Sequence, residues 1–194
     1  MRQCYDNHNV RKFVIGSGGS AFSDGGFGAV QALRVFDFFD ENGQRVDEFV
    51  PFGDARRVRE AQVIDPDFLN NVSVLMPCDV TSPLLGPSGA AHVFGPQKGA
   101  TPEQIPVLDE SIEHVIRMFL RGKHGGDGDF EALAVTPSAG ASGGIVGAFM
   151  ALFGEQTSTV SGMDFVANLT DLNDKIGQSD LIVTGEGSFD VQTL

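Results

Sequence analysis

Four carboxylates stand where a strand-like run gives way to a loop of glycines and other breakers: Asp24, Asp79, Glu186 and Asp190. In open α/β sheets, ligands bind beyond the carboxyl ends of the strands. Parallel neighbouring strands would bring these carboxylates into one cleft. Magnesium would suit such a cleft, because it takes few protein carboxylates and keeps phosphate oxygens as its other ligands. Each residue also has a plainer reading: Asp24 as the cap of the helix that follows, and Asp79 as part of an ordinary turn.

The loops themselves repeat one grammar. KFVIGSGGSAFSDGG (Lys12–Gly26), LAVTPSAGASGG (Leu133–Gly144) and DLIVTGEGSFD (Asp180–Asp190) each read as strand, glycine loop and helix start. Glycine lets a backbone turn sharply and approach a ligand closely. Amides at a helix start contribute only about 0.3–2 kcal/mol towards an anion, so a cation or metal must assist. Lys98, in GPQKGA, is the lysine best placed for that, against the plainer reading of a surface-loop lysine.

These loops need a scaffold. Phe27, Val30 and Leu33 recur at helical spacing, which predicts a helix from Gly26 to about Arg34. The Asn42-Gly43 pair predicts a hairpin between FDFFD and RVDEFV. DARRVREAQVI reads as a short helix, and NVSVLMPCDV as a strand ending near Asp79. Ser82–Ala100 is a long, breaker-rich segment of the kind that is often functional. TPEQ opens a helix with a capping box. Its stripe is Ile105, Leu108, Ile112, Val115 and Phe119, and Pro106 is expected to push the start one turn later. Leu133–Val135 and Leu181–Thr184 are expected as strands, with short helices in GMDFVANL and LNDKIGQ between them.

Composition narrows the class. The chain has 194 residues, 41% hydrophobic, and a formal net charge of −13 from 13 basic and 26 acidic residues. That disfavours nucleic acid, which needs clustered cations. It leaves room for a small phosphorylated molecule held by backbone amides, a local cation and a metal. Arg56, Arg57 and Arg59 form the basic cluster and read as a solvated helix face. Cys4 and Cys78 offer neither a metal motif nor a disulfide framework. With no apolar leader and no membrane-length stretch, a cytoplasmic location is expected.

Familiar sites are missing from the sequence. There is no G-x-x-x-x-G-K-[ST] loop and no protein-kinase motif set. The first loop reads G-S-G-G-S-A and does not match G-x-G-x-x-G. His8, His92, His114 and His124 lack zinc-ligand spacing.

Four blocks instead resemble the type 1 glycerate kinases: GSGGSAFSDGG, CDVTSPLLGPSGAAHVFGPQKGA, PSAGASGG and TGEGSFDVQTL. They stand in that family's order and cover almost the whole chain. The departures are Phe22 and Ser23 for Thr and Asn, Ser82 for Asn, and Ser188 for Arg. The resemblance implies an α/β protein with most of the family's middle domain (about 20–130) and part of its Rossmann-like first domain (about 131–194). The chain is therefore expected to be the central portion of a longer enzyme. An N-terminal D-S-F-K-G block and a C-terminal G-K block lie outside it.

The same resemblance implies ATP-dependent phosphorylation of D-glycerate to a phosphoglycerate, with magnesium. Phosphoryl transfer mainly needs positioning, charge neutralisation and a base for the hydroxyl proton. Asp24 or Asp79 would be the base. Gly18, Gly19, Ser20, Ser23 and Lys98 would hold the substrate. Ser138, Gly140, Gly143, Gly185 and Gly187 would face the nucleotide, with Glu186 and Asp190 on the metal. Two alternatives stay open at this point: a non-catalytic hydroxy-acid or nucleotide binding module of the same fold, and another α/β enzyme acting on a phosphorylated acid.

Overall fold

The structure, a computed structural model, describes residues 1–185. It is an α/β arrangement in which two small sheets share one apolar core. The chain opens with α1 (Arg2–His8), a helix the sequence reading missed, which ends at Asn9 in the left-handed conformation. Strand β1 (Lys12–Val14) follows, then the first glycine loop, then α2 (Phe27–Leu33). Helix α2 buries Phe27, Val30 and Leu33, the face its spacing predicts.

Strand β2 (Phe36–Asp40) runs into the Asn42-Gly43 turn, where Asp40 accepts from the Asn42 and Gln44 amides at 2.8 and 2.9 Å. Phe39 bridges Arg45, but the hairpin goes no further. The true partner of β2 is β3 (Val58–Val63), antiparallel to it. The helix expected across DARRVREAQVI is thus a 3-10 turn, Phe52–Arg57, followed by a strand. A bulge at Phe39/Asp40 breaks the pairing register. It puts the buried residues Val58 and Ala61 three apart, a spacing that imitates a helix.

Helix α3 (Pro66–Asn71) is capped by Asp65, whose carboxylate accepts from the Phe68 amide at 2.9 Å. Strand β4 (Ser73–Pro77) ends just before Asp79, as expected. The long loop holds α4 (Ala90–Phe94) and a 3-10 turn, Pro96–Lys98. Helix α5 (Gln104–His124) begins past Thr101, and the Thr101 amide donates to the Gln104 side chain at 2.9 Å. Its stripe buries Ile112, Val115 and Phe119. Phe119 stacks on Phe36 at 5.8 Å and on Phe27 at 6.4 Å, so α5 joins α2 to the β2–β3 sheet.

The expected strand at Leu133–Val135 is instead the end of α6 (Phe130–Val135). Phe130 and Ala134 are its buried residues, four apart, a helical interval that the LAV run alone conceals. Helix α7 (Ala141–Phe153) is almost wholly buried, and a kink at Ser142, Gly143 and Gly144, all with positive φ, sets its first residues into the preceding loop. Strand β5 (Thr157–Val160), α8 (Gly162–Leu169) and α9 (Leu172–Gly177) complete the described elements. Both short helices were expected; β5 was not, because TSTV lacks an apolar run.

Strands β1, β4 and β5 form a parallel sheet in that order, with Val14 opposite Leu75 and Met76 opposite Thr159. Helix α7 covers the face that carries Val74 and Met76. Leu181–Thr184, expected as a further strand, pairs with no sheet, and Leu181 and Val183 are 79% and 86% exposed. Among the described residues no helix is long and apolar enough to cross a membrane.

Candidate active site

Three loops meet beyond the ends of β1 and β4. The first runs from Gly16 to Gly26, the second follows β4, and the third spans Thr136–Gly144. Ser17 donates its hydroxyl to the Pro77 carbonyl at 2.9 Å, joining the first loop to the second. Ser138 donates to the Val80 carbonyl at 2.8 Å, joining the third to the second. The Ser142 hydroxyl donates to the Ser17 carbonyl, closing the triangle. Ser138 and Ser142 hold positive φ values of 68° and 51°, a conformation that costs roughly 1–2 kcal/mol in an L-residue. Each is tied down by one of these bonds.

The glycines of the third loop serve contact. A Cβ on Gly140 would lie 2.1 Å from the Pro83 carbonyl oxygen. The Gly140 amide donates to the Ser82 carbonyl at 3.0 Å, and the Gly25 amide to the Gly143 carbonyl at 2.9 Å. The backbones are stacked on one another, and only glycine fits there. The first loop differs. At Gly18 and Gly19 nothing lies within 4 Å of the Cβ position, so that arch is open.

Asp24 ends the first loop. One carboxylate oxygen accepts from the Gly26 amide at 3.0 Å and the other from the Gly28 amide at 2.9 Å. The plain reading holds: Asp24 caps α2. Capping also fixes the carboxylate, and Asp24 lines a cavity of about 710 Å³ together with Ser23 and Lys98. Lys98 reaches back from the Pro96–Lys98 turn. Its ammonium donates to Ser20 Oγ at 3.1 Å and to the Phe22 carbonyl at 2.5 Å. It stands 5.9 Å from the Phe22 ring and 6.0 Å from the Phe94 ring. Burial pushes the Lys98 ammonium below its ordinary pKa, and the Asp24 charge opposes that in part. The Ser23 hydroxyl oxygen is buried and makes no hydrogen bond.

The site therefore gathers Ser20, Ser23, Asp24 and Lys98 of the expected residues. Asp79 is elsewhere: it accepts from the Met163 amide at 3.1 Å and from the Ser161 hydroxyl at 3.3 Å, at the start of α8. It is not among the residues that line the cavity. Ser138, Gly140 and Gly143 lie within the loop stack, and the Ser138 hydroxyl and the Gly140 amide are already engaged. Gly185 has nothing packed near its Cβ position. Glu186, Gly187 and Asp190 lie outside the described residues. Among those described, no group of three or more His, Cys, Asp and Glu side chains could hold a metal.

Sequence reading missed Phe49 and Phe52, which form part of the cavity wall. The available signal was the apolar run Phe49-Val50-Pro51-Phe52 between polar segments. A second cavity, about 720 Å³, lies beside the Asp40–Glu48 turn. Its arginines include Arg45, Arg56 and Arg57, paired with Asp37, Glu110 and Glu48 at 2.7, 2.7 and 2.5 Å. These three cations are spent on carboxylates, whereas the Lys98 ammonium has no carboxylate within ion-pair distance among the described residues. Within the arginine cluster, Arg56 and Arg57 are salt-bridged at the 3-10 turn and Arg59 lies on β3, so the cluster is not a helix face.

Residues 2–194 match the sequence model of the glycerate kinase family. The chain belongs to the glycerate kinase family. It is 36% identical over 183 residues to glycerate 2-kinase of Escherichia coli K12, covering 93% of this chain and 45% of that protein. It is 36% identical over 187 residues to glycerate kinase of Bacillus subtilis 168, covering 95% and 46%. A crystal structure from Salmonella typhimurium LT2, assigned as a glycerate kinase 2, superposes with a TM-score of 0.69 at 33% identity, covering 96% of this chain and 47% of the other. The family chain described here thus spans about half the length of these relatives. The loop convergence and the α/β scaffold are features of a glycerate kinase family member, and the likeness extends over nearly all of its residues.

Proposed function

We propose that this chain carries the acceptor side of a glycerate kinase, which transfers the terminal phosphoryl group of ATP to D-glycerate and yields a phosphoglycerate. One observation supports this most: an ammonium and a fixed carboxylate, Lys98 and Asp24, face one cavity beside an open glycine arch. Lysine has three N–H donors, and two are used on Ser20 and Phe22. The third meets the glycerate carboxylate. Ser23 supplies a hydroxyl to a ligand oxygen.

Asp24 accepts the proton of the attacking hydroxyl. Its two amide bonds hold it still, and a carboxylate oxygen keeps a further lone pair for that proton. It is favoured over Asp79 because Asp24 shares the cavity with Lys98. Magnesium, when present with the nucleotide, screens phosphate charge during transfer. Glu186 and Asp190 are the carboxylates proposed to hold it. Gly143 and Gly185 are proposed on the nucleotide side with Gly187, and Ser138 and Gly140 support that side by fixing the loop.

The test is direct. Titration calorimetry should show D-glycerate binding to the purified chain and should lose it in Lys98→Met. A coupled ADP-release assay with D-glycerate and magnesium–ATP should give turnover below the ordinary range of roughly 1–1000 per second, because the chain spans about half of its relatives. Unchanged glycerate affinity in Lys98→Met would reject the assignment.

A further inference from the structure

We propose that the Lys98 cleft accepts a 2-hydroxy acid that carries an apolar, preferably aromatic, substituent, and not glycerate alone. The proposal rests on the reading of this cleft as the acceptor site and names the substrate class it fits. Size comes first. The cavity is about 710 Å³, inside the range of ~300–1,000 Å³ typical of drug-sized ligands. A three-carbon acid leaves most of it empty.

The wall comes second. Phe22, Phe49, Phe52, Val107 and Leu108 line the cavity. Phe49 is 65% exposed, Val107 53% and Phe22 42%. Large apolar side chains left open around one concavity mark a surface that something apolar covers. Glycerate has no apolar part to cover them. A phenyl or branched alkyl group does.

Charge decides between candidates. Lys98 is the cation on the cleft, and Asp24 and Glu103 line it too. That balance is negative. It tolerates one carboxylate paired with the spare Lys98 donor, and it opposes a polyphosphate. The buried, unbonded Ser23 hydroxyl offers the 2-hydroxyl or carboxylate a partner. The cleft therefore offers polar partners for the hydroxy acid and apolar side chains for its substituent.

The experiment titrates the 194-residue chain with D-glycerate, D-phenyllactate and adenosine monophosphate by calorimetry. Phenyllactate should bind about tenfold more tightly than glycerate, the gain expected from covering part of a ring. Phe49→Ala and Val107→Ala should each remove part of that advantage and leave glycerate affinity unchanged. Phe49→Leu should restore part of it. These side chains are exposed, and circular dichroism confirms that the variants fold. Phenyllactate binding no tighter than glycerate, adenosine monophosphate binding tighter than either, or no binding of any of the three overturns the proposal. If glycerate binds and phenyllactate does not, the substrate class is wrong and the glycerate reading stands. If phenyllactate binds and glycerate does not, the glycerate reading fails and the class stands.

Discussion

The Cβ that Gly143 lacks would lie 2.2 Å from the carbonyl oxygen of Phe22. Two loops more than a hundred residues apart in sequence are thus in backbone contact, and the contact sits beside the proposed ligand cleft. Gly143 also has φ of +67°. Gly143→Ala must force the Phe22 segment outwards and strain its own backbone. Left-handed strain costs about 1–2 kcal/mol and overpacking about 1–3 kcal/mol. The variant should lose at least about 2 kcal/mol in urea unfolding and should also bind glycerate more weakly. An unmoved unfolding midpoint would show that the loops do not pack this way.

Asp24 has two separable duties. As a cap it holds the Gly26 and Gly28 amides, and removing such a cap costs about 0.5–2 kcal/mol. As a base it acts on the substrate hydroxyl. Asp24→Asn loses the base and keeps one acceptor oxygen, so one of the two amide bonds remains. It should unfold about 0.5 kcal/mol below the parent, and Asp24→Ala, which loses both bonds, about 1 kcal/mol or more below it. Glycerate affinity should survive in Asp24→Asn, while any ADP release falls about 10²–10⁴-fold. Full ADP release in Asp24→Asn would return the role of base to another group.

Much of this arrangement was legible in the sequence. Phe27, Val30 and Leu33 gave α2, and Ile112, Val115 and Phe119 gave α5, because each helix shows one apolar face to a core. Asp24 and Lys98 were legible as charged residues inside glycine loops, and the bonds of Asp24 to the start of α2 were legible as its plainer reading. What was not legible depends on partners distant in sequence. The β3 strand hides behind a bulge that spaces Val58 and Ala61 like a helix. Strand β5 is threonine and serine, and it is a strand because β4 pairs with it. Phe49 reaches the cleft from a different loop, and nothing local announces that. Asp79 was legible as a loop carboxylate, but its pairing with Met163 and Ser161 comes from α8, far along the chain.

Lys98 also gives the site a pH dependence. Burial lowers its pKa from the ordinary 10.5, with Asp24 opposing. A lowered value means that the ammonium loses its proton earlier than an exposed lysine as pH rises. The carboxylate anchor is therefore lost at a lower pH than an exposed lysine of ordinary pKa 10.5 would lose it. Glycerate affinity measured from pH 7 upwards should be flat at first and then fall before the pH at which free lysine titrates. In Lys98→Met the residual affinity should show no such fall. A parent profile flat through 10.5 would mean that Lys98 does not hold the anion.

Asp79 should prove to be a structural group, and this separates it from Asp24. Its carboxylate accepts from the Met163 amide at 3.1 Å, which is an orphan donor at the start of α8. Ser161 adds a hydroxyl at 3.3 Å and itself accepts from the Asp164 amide at 3.1 Å. Asp79 therefore links the end of β4 to the first turn of α8. Packing there is tight, since a Cβ on Gly162 would lie 2.6 Å from an Asp79 oxygen. Helix α8 has only Ala167 buried, so little apolar packing compensates when that link is lost. Asp79→Ala should loosen α8 by about 0.5–2 kcal/mol, the usual worth of a cap. Hydrogen exchange reads this locally: amides from Met163 to Leu169 should exchange faster, while those of α5 and α7 stay protected. Glycerate affinity should change little, because the cleft at Lys98 is built from other residues. Faster exchange in α8 with intact binding fits a cap. Unchanged exchange together with lost glycerate binding would instead make Asp79 part of the substrate site.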